Sequence, residues 1–184
     1  MAKDHEPNED STDLELISRW IAGDERAATT LVERHAPALA RFAVSLGHRV
    51  DVEEVVQDTF VRAFGSIDSF RADSSLRTWL FTIERRLILD RRRAERRRRD
   101  DALIDETDAA TEFNALDGLV AEEAADRVRR AVDRLSRLQR EVFLLRVNEG
   151  LSYKEIAEVV GSTEGAARVH YHNAMRAVKE SLYV

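Results

Sequence analysis

Between Glu84 and Arg99 the sequence reads ERRLILDRRRAERRRR, nine arginines in sixteen residues. Arginine keeps its charge at any physiological pH, so a run this dense binds a polyanion and releases that polyanion's counterions. Phe70, Trp79 and Phe81 stand just upstream. Basic and aromatic residues interleaved in this way suit single-stranded nucleic acid, where cations hold phosphates and bases stack on rings. Trp79 itself falls on an apolar helical stripe, so it is expected in the core rather than against a base.

A second stretch, SYKEIAEVVGSTEGAARVHYHNAMRAV (152–178), has the spacing of a helix-turn-helix. A short helix opens at Ser152, small Ala157 allows close approach, and Gly161 supplies a turn residue free to take positive φ. The exposed face of the next helix carries Glu164, Arg168 and His172 at i, i+4 and i+8, with Asn173 and Arg176 beside them. Arg, Asn and His can read base edges from the major groove. An ordinary helical hairpin with a solvated polar face fits the same spacing.

Other chemistry finds no constellation. His170 and His172 are two apart on a helix and diverge by about 200°, so they cannot share a metal. Glu53–Glu54 and Asp100–Asp101 read as solvated neighbours. Phosphate-loop, dinucleotide, zinc-protease and nucleophile-elbow patterns are absent, and there is no Cys. A non-enzymatic protein without cofactor or metal is expected. The acidic N-terminus does not read as a signal peptide, and no apolar run approaches the roughly 18–20 residues that span a bilayer. A cytoplasmic location is expected, with no membrane insertion of its own.

The elements that must position these residues are helices. The 184 residues suggest one or two domains, and only 7 Gly and 2 Pro disfavour a sheet-rich fold. Residues 1–11 are expected to be disordered. Thr12 and Glu15 have capping-box spacing before Leu14, Ile17, Trp20 and Ile21. A second helix follows Gly23-Asp24, carries Leu31, His35, Leu39, Phe42 and Leu46, should kink near Ala36 because of Pro37, and ends at Gly47. Asp51 is expected to cap a third helix and Ser75 a fourth, which continues through the arginines to about Arg99. The core should end near Leu89. Further capping boxes stand at Ser136/Gln139 and Ser152/Glu155, and Ser162 or Thr163 starts the last helix.

The net charge is −6, yet residues 100–126 hold ten Asp or Glu and no Lys or Arg. This shift marks a boundary. The reading is all-α: two small helical domains, 12–99 and 122–184, joined by a flexible acidic linker over 100–121. The linker is expected to keep the two domains apart, and either to run through a basic channel of a partner as a mimic of nucleic acid or, in the free protein, to fold back on Arg91–Arg99.

With these segments placed, the chain resembles an extracytoplasmic-function sigma factor of bacterial RNA polymerase, over most of residues 14–182. ATTLVERHAPALARFA (28–43) resembles the start of the family's first helical domain. DVEEVVQDTFVRAFGSIDSFRADSSLRTWLFTIERRLILDRRR (51–93) resembles its remainder and is the most specific match. LSRLQREVFLLRVNEGLSYKEIAEVVGSTEGAARVHYHNAMRAVKE (135–180) resembles the second domain. The resemblance implies core polymerase as partner, through its clamp helices and flap, with Asp51, Glu54, Gln57, Asp58, Phe60 and Arg62 on the clamp. It implies a flipped base of the −10 strand captured by the loop with Phe70, Asp73, Ser74 and Ser75, and strand contacts from Arg77, Arg85, Arg86, Arg92 and Arg93. It implies −35 recognition by Ser162, Thr163, Glu164, Arg168, His170, His172, Asn173 and Arg176, and an anti-sigma factor that can hold the protein at the membrane.

Two departures stand out. The family often has Asn where this chain has Arg86, and GAARVHYHNAM is less basic than the usual version, so base preference at both elements is expected to differ. No further domain is expected after Val184. A stand-alone helix-turn-helix regulator is the main alternative; it calls for a dimer helix, and none is evident. An adaptor with a basic run explains the arginines but not the helix-turn-helix.

Overall fold

The computed structural model describes residues 12–47, 51–102 and 127–182. Every regular element among them is helical: α1 (Asp13–Ile21), α2 (Glu25–Ser45), α3 (Val52–Gly65), a 3-10 turn (Ile67–Ser69), α4 (Leu76–Ala102), α5 over 127–133, α6 (Arg137–Val147), α7 (Tyr153–Val160) and α8 (Glu164–Leu182). The expected disorder of residues 1–11, and residues 103–121 of the acidic linker, lie outside the described residues.

Local chemistry explains most of the ends. The Thr12/Glu15, Ser136/Gln139 and Ser152/Glu155 capping boxes all form, each hydroxyl accepting from the N3 backbone N–H while the N3 side chain accepts from the cap. Ser75 Oγ accepts from the Thr78 N–H at 3.1 Å and opens α4. Asp51 corrects the expected cap: it precedes α3 in the left-handed region at φ 63, and its side chain makes no capping bond. Pro37 does not interrupt α2, which runs unbroken through it. Pro37 and Glu33 are both exposed, so water can satisfy the Glu33 carbonyl that proline leaves without a donor. α4 runs three residues past Arg99, through Asp100, Asp101 and Ala102, since a change of charge sign breaks no backbone hydrogen bond.

The first half is a bundle in which α2 packs on α1, α3 and α4, and α3 packs on α4. Its core gathers Leu16, Leu31, Leu39, Val55, Leu80, Phe81 and Ile88. Full burial in α4 ends at Ile88, close to where the apolar stripe predicts, and residues 93–98 are exposed. In the second half α6, α7 and α8 pack on one another. Ala131, Leu135, Phe143, Ala174 and Val178 form a small cluster of their own.

The halves do not stand apart. α7 lies on α4 and α6 touches α2. The main core continues through Val142, Leu145, Leu151, Ile156, Val159 and Val160 of the second half. α7 has one apolar face and only eight residues, so it must bury that face on something larger. Here that surface is α4.

Candidate nucleic-acid interface

Three surfaces collect the residues singled out by type and spacing. The first is the loop before α4. Phe70 packs its ring 5.2 Å from Trp79 at an interplanar angle of 44°, so Trp79 packs on the core, as its spacing predicts. Ala72 adopts φ 56, a left-handed conformation uncommon for a residue that carries a Cβ. Phe70, Asp73, Ser74 and Ser75 then form one side of a cleft of about 610 Å³, whose other side is Asp13 and Arg34. Asp13 accepts from Arg34 at 2.7 Å and lies 2.9 Å from His35 Nε2. Burial pushes the Asp13 carboxyl up, but the bonds and charges of His35 and Arg34 outweigh it and hold the group below its ordinary value.

The arginines of α4 diverge in fate. Arg77 donates to the Glu149 carboxylate and, at 3.1 Å, to the Glu149 carbonyl. Arg85 donates to Glu141 at 2.6 Å. Arg92 donates to the Leu46 carbonyl, and Arg93 pairs with Asp90 at 3.5 Å. Arg86 is exposed, with no partner among the described residues. The loop and α4 thus come together as one cationic and aromatic surface, but two of its cations are engaged by carboxylates of the second half.

The second surface is the outer face of α8. Gly161 takes φ 69 and Thr163 Oγ1 accepts from the Ala166 N–H at 3.2 Å, so the tight turn and helix start form as their residue types predict. Ala167, Ala174 and Val178 are buried, which turns Arg168, His172 and Arg176 outward. Arg168 bonds Glu164 at 2.9 Å and lies 5.0 Å from the Tyr153 ring centroid; Arg176 donates to Asn173 at 3.4 Å. Ser162 and Asn173 are half-buried, and so is His170, at the flank of the face.

The third surface lies on α2 and α3. Val32, Ala36, Pro37 and Ala40 face Val56, Phe60, Val61 and Phe64 across an apolar groove of about 780 Å³. Of the charged and polar residues singled out with it, Gln57 lines the groove, while Asp51, Glu54 and Arg62 are exposed without lining it. Arg91 of α4 holds Glu54 at 2.8 Å and Asp58 at 2.6 Å. Phe60 is only 6% exposed, so it offers the groove a ring edge, while Val61 at 64% projects.

Residue types did not reveal the acidic partners Glu141, Glu149, Glu155 and Glu158, nor Arg41, which also pairs with Glu149 at 3.2 Å. Glu84 carried a usable signal. It interrupts the apolar spacing of Leu80, Leu87 and Ile88 with a carboxylate.

An all-helical chain that joins a cationic, aromatic helix to a helix-turn-helix belongs among proteins that read nucleic acid with two modules. Residues 31–98 match Sigma-70 region 2, and residues 125–178 match Sigma-70 region 4. The chain is 34% identical to the ECF RNA polymerase sigma factor EcfG of Rhodopseudomonas palustris, covering 80% of this chain and 81% of that one. It is 30% identical to the ECF RNA polymerase sigma-E factor of Haemophilus influenzae, over 95% and 97%. Among solved structures it resembles the sigma factor RpoE bound to the anti-sigma factor NepR from Bartonella quintana, with TM-score 0.67, 30% identity and coverage of 85% and 96%. CnrH in complex with the cytosolic domain of CnrY matches at TM-score 0.67 and 30% identity, over 94% and 97%. The chain belongs to the extracytoplasmic-function sigma factors of the sigma-70 family, which direct bacterial RNA polymerase to promoters. No helix among the described residues is long and apolar enough to cross a membrane.

Proposed function

We propose that the three surfaces divide the work of promoter recognition, and that residues 12–99 and 122–184 act as separate reading domains joined by the 100–121 tract. The α2–α3 groove, together with Asp51, Glu54, Gln57, Asp58 and Arg62 at the start of and along α3, docks on the clamp helices of the polymerase. The loop with Phe70, Asp73, Ser74 and Ser75 receives one unstacked base of the −10 strand. Arg77, Arg85 and Arg86, then Arg92 and Arg93, follow its phosphates. The observation that carries this reading is the cleft beside Phe70, placed at the start of an arginine-lined helix. Unstacking a base costs a few kcal/mol, and a pocket with a ring wall and polar edges offsets that cost while cations hold the backbone.

The outer face of α8 enters the major groove at the −35 element, with Arg168, His172 and Arg176 central and Ser162, Thr163, Glu164, His170 and Asn173 around them. The chain acts by binding rather than catalysis, in the cytoplasm. The two solved structures above are each a complex with an anti-sigma factor or a cytosolic partner domain, which supports an anti-sigma partner here. The test is initiation by core polymerase plus the purified chain on a promoter library, with 5′ ends sequenced. Transcripts should start downstream of one paired −35/−10 motif, and Phe70→Ala should abolish preference at one −10 position. Starts indistinguishable from those of core polymerase alone would overturn the reading.

A further inference from the structure

Four carboxylates hold the second half on the surface assigned above to the −10 strand. Glu149 accepts from Arg77 and from Arg41, Glu141 from Arg85, Glu155 from Thr78 at 3.2 Å, and Glu158 from Ser74 at 2.7 Å. A carboxylate on a guanidinium uses the same N–H donors that a phosphate would use. The second half and the DNA strand therefore compete for Arg77, Arg85 and Ser74.

Glu84 of α4 lies within reach of the charge of Glu149. It follows Arg77 by seven residues, two turns along the same face of α4. It is fully buried, and neither carboxylate oxygen has a hydrogen-bond partner. The charged groups around the junction are Arg41 on α2, Arg77 and Arg85 on α4, Arg137 and Glu141 on α6, Glu149 in the following turn, and Glu155 and Glu158 on α7. Arg41 and Arg77 are engaged by Glu149 and Arg85 by Glu141, so none of them bonds Glu84. An ionised carboxylate buried without a partner is costly enough that the group takes up a proton instead.

We propose that the free chain inhibits itself: carboxylates of the second half cover the −10-reading face of α4, and Glu84 must be neutral for the halves to close, so that opening releases one proton. This inference rests on the assignment of α4 to the −10 strand. Separating the halves removes Glu149 and admits water to that face, where Glu84 returns to the ordinary carboxylate range.

The direction of the pH dependence follows. Burial, with the charge of Glu149 added, pushes Glu84 up to about 9 in the closed form, from an ordinary 4.5. Below the ordinary value both forms hold the proton and closure is fully favoured. As pH rises between the two values, the ratio of closed to open falls by about tenfold per unit, and it levels off above the upper one. Glu155 does not reverse this. Burial pushes it up, but bonds from Ser152 and Thr78 and the charge of Arg77 outweigh that and hold it below its ordinary value, so it titrates under this window.

The chain has no Cys, so Glu25→Cys and Glu180→Cys, both exposed and one in each half, can carry a dye pair. Energy transfer is read on the free full chain from pH 5 to 8.5, alongside its affinity for a single-stranded −10 oligonucleotide. Transfer should fall as pH rises while strand affinity climbs at least tenfold. Glu84→Gln should stay closed throughout and bind the strand at least tenfold more weakly at pH 8. Glu84→Ala should do the same, and circular dichroism checks that both are folded. Glu149→Gln should be open at pH 5. If Glu84→Gln and Glu84→Ala follow the parent's pH profile, the proton latch is wrong. If the halves separate as described and no variant binds the strand, the assignment of α4 fails while the latch stands.

Discussion

Arg85 Nε lies 2.6 Å from Glu141 Oε2, and the two side chains are 17% and 1% exposed. The pair joins α4 to α6 across 56 residues of sequence. Glu141 has a second partner in Arg137 at 2.9 Å, but Arg137 is itself 42% exposed. Removing one member of a buried pair leaves a desolvated charge behind, which costs about 3–5 kcal/mol. Arg137 offsets part of that loss. Arg85→Ala should therefore lower stability by about 2–3 kcal/mol in urea unfolding. The double substitution Arg85→Met with Glu141→Leu should recover most of it. A neutral Arg85→Ala would show that the contact contributes nothing in solution.

Val61 projects from the rim of the α2–α3 groove at 64% exposure. It supports nothing in the core, so Val61→Asp should change folding stability by no more than about 0.5 kcal/mol. A charge there must be desolvated when a helical partner fills the groove. Affinity for core polymerase should fall at least tenfold, measured by displacement of a labelled sigma factor. Unchanged affinity would remove the groove from the docking surface.

On α8, Arg168 is exposed and balanced between Glu164 and the Tyr153 ring. Arg168→Ala should weaken binding of a −35 duplex to the holoenzyme by about 1–3 kcal/mol if the side chain reads a base, with relaxed preference at one position. Glu164→Gln frees Arg168 and removes a like charge from the DNA backbone, so it should tighten binding and steepen the salt dependence. Titrations at several salt concentrations separate the two effects. Identical slopes for parent and Glu164→Gln would place this face away from the phosphates.

Gly161 turns the helix-turn-helix at φ 69, and a Cβ added there meets nothing within 4 Å. The cost of Gly161→Ala is therefore backbone strain alone, about 1 kcal/mol. The melting temperature should fall by a few degrees, with −35 affinity reduced only through that loss. A change in duplex sequence preference would mean that the turn itself touches DNA.

What could be read in the residues was local. Each capping box spans four residues, so Thr12/Glu15, Ser136/Gln139 and Ser152/Glu155 declared their helices without any knowledge of the fold. The arginine run and the face of α8 were legible for the same reason. The junction between the halves was not. The apolar stripe of α7 shows that a partner surface exists but does not name α4, and Arg77 and Glu149 stand 72 residues apart. Asp51 misled because its residue type favours a cap, while its own backbone takes the left-handed region and its side chain makes no capping bond. Glu84 interrupts an apolar spacing, which marks it as unusual, but that it is buried without a hydrogen-bond partner is visible only in the fold.

The central claim is that this chain, seated on core polymerase, holds one separated −10 strand at the loop before α4. The most direct test places a fluorescent base analogue at each −10 position of a duplex promoter and follows its emission on adding holoenzyme. One position should brighten as its base leaves the stack, and Phe70→Ala holoenzyme should lose that signal while still binding core and the −35 element. A duplex that stays fully stacked at every position, with holoenzyme bound, would contradict the account.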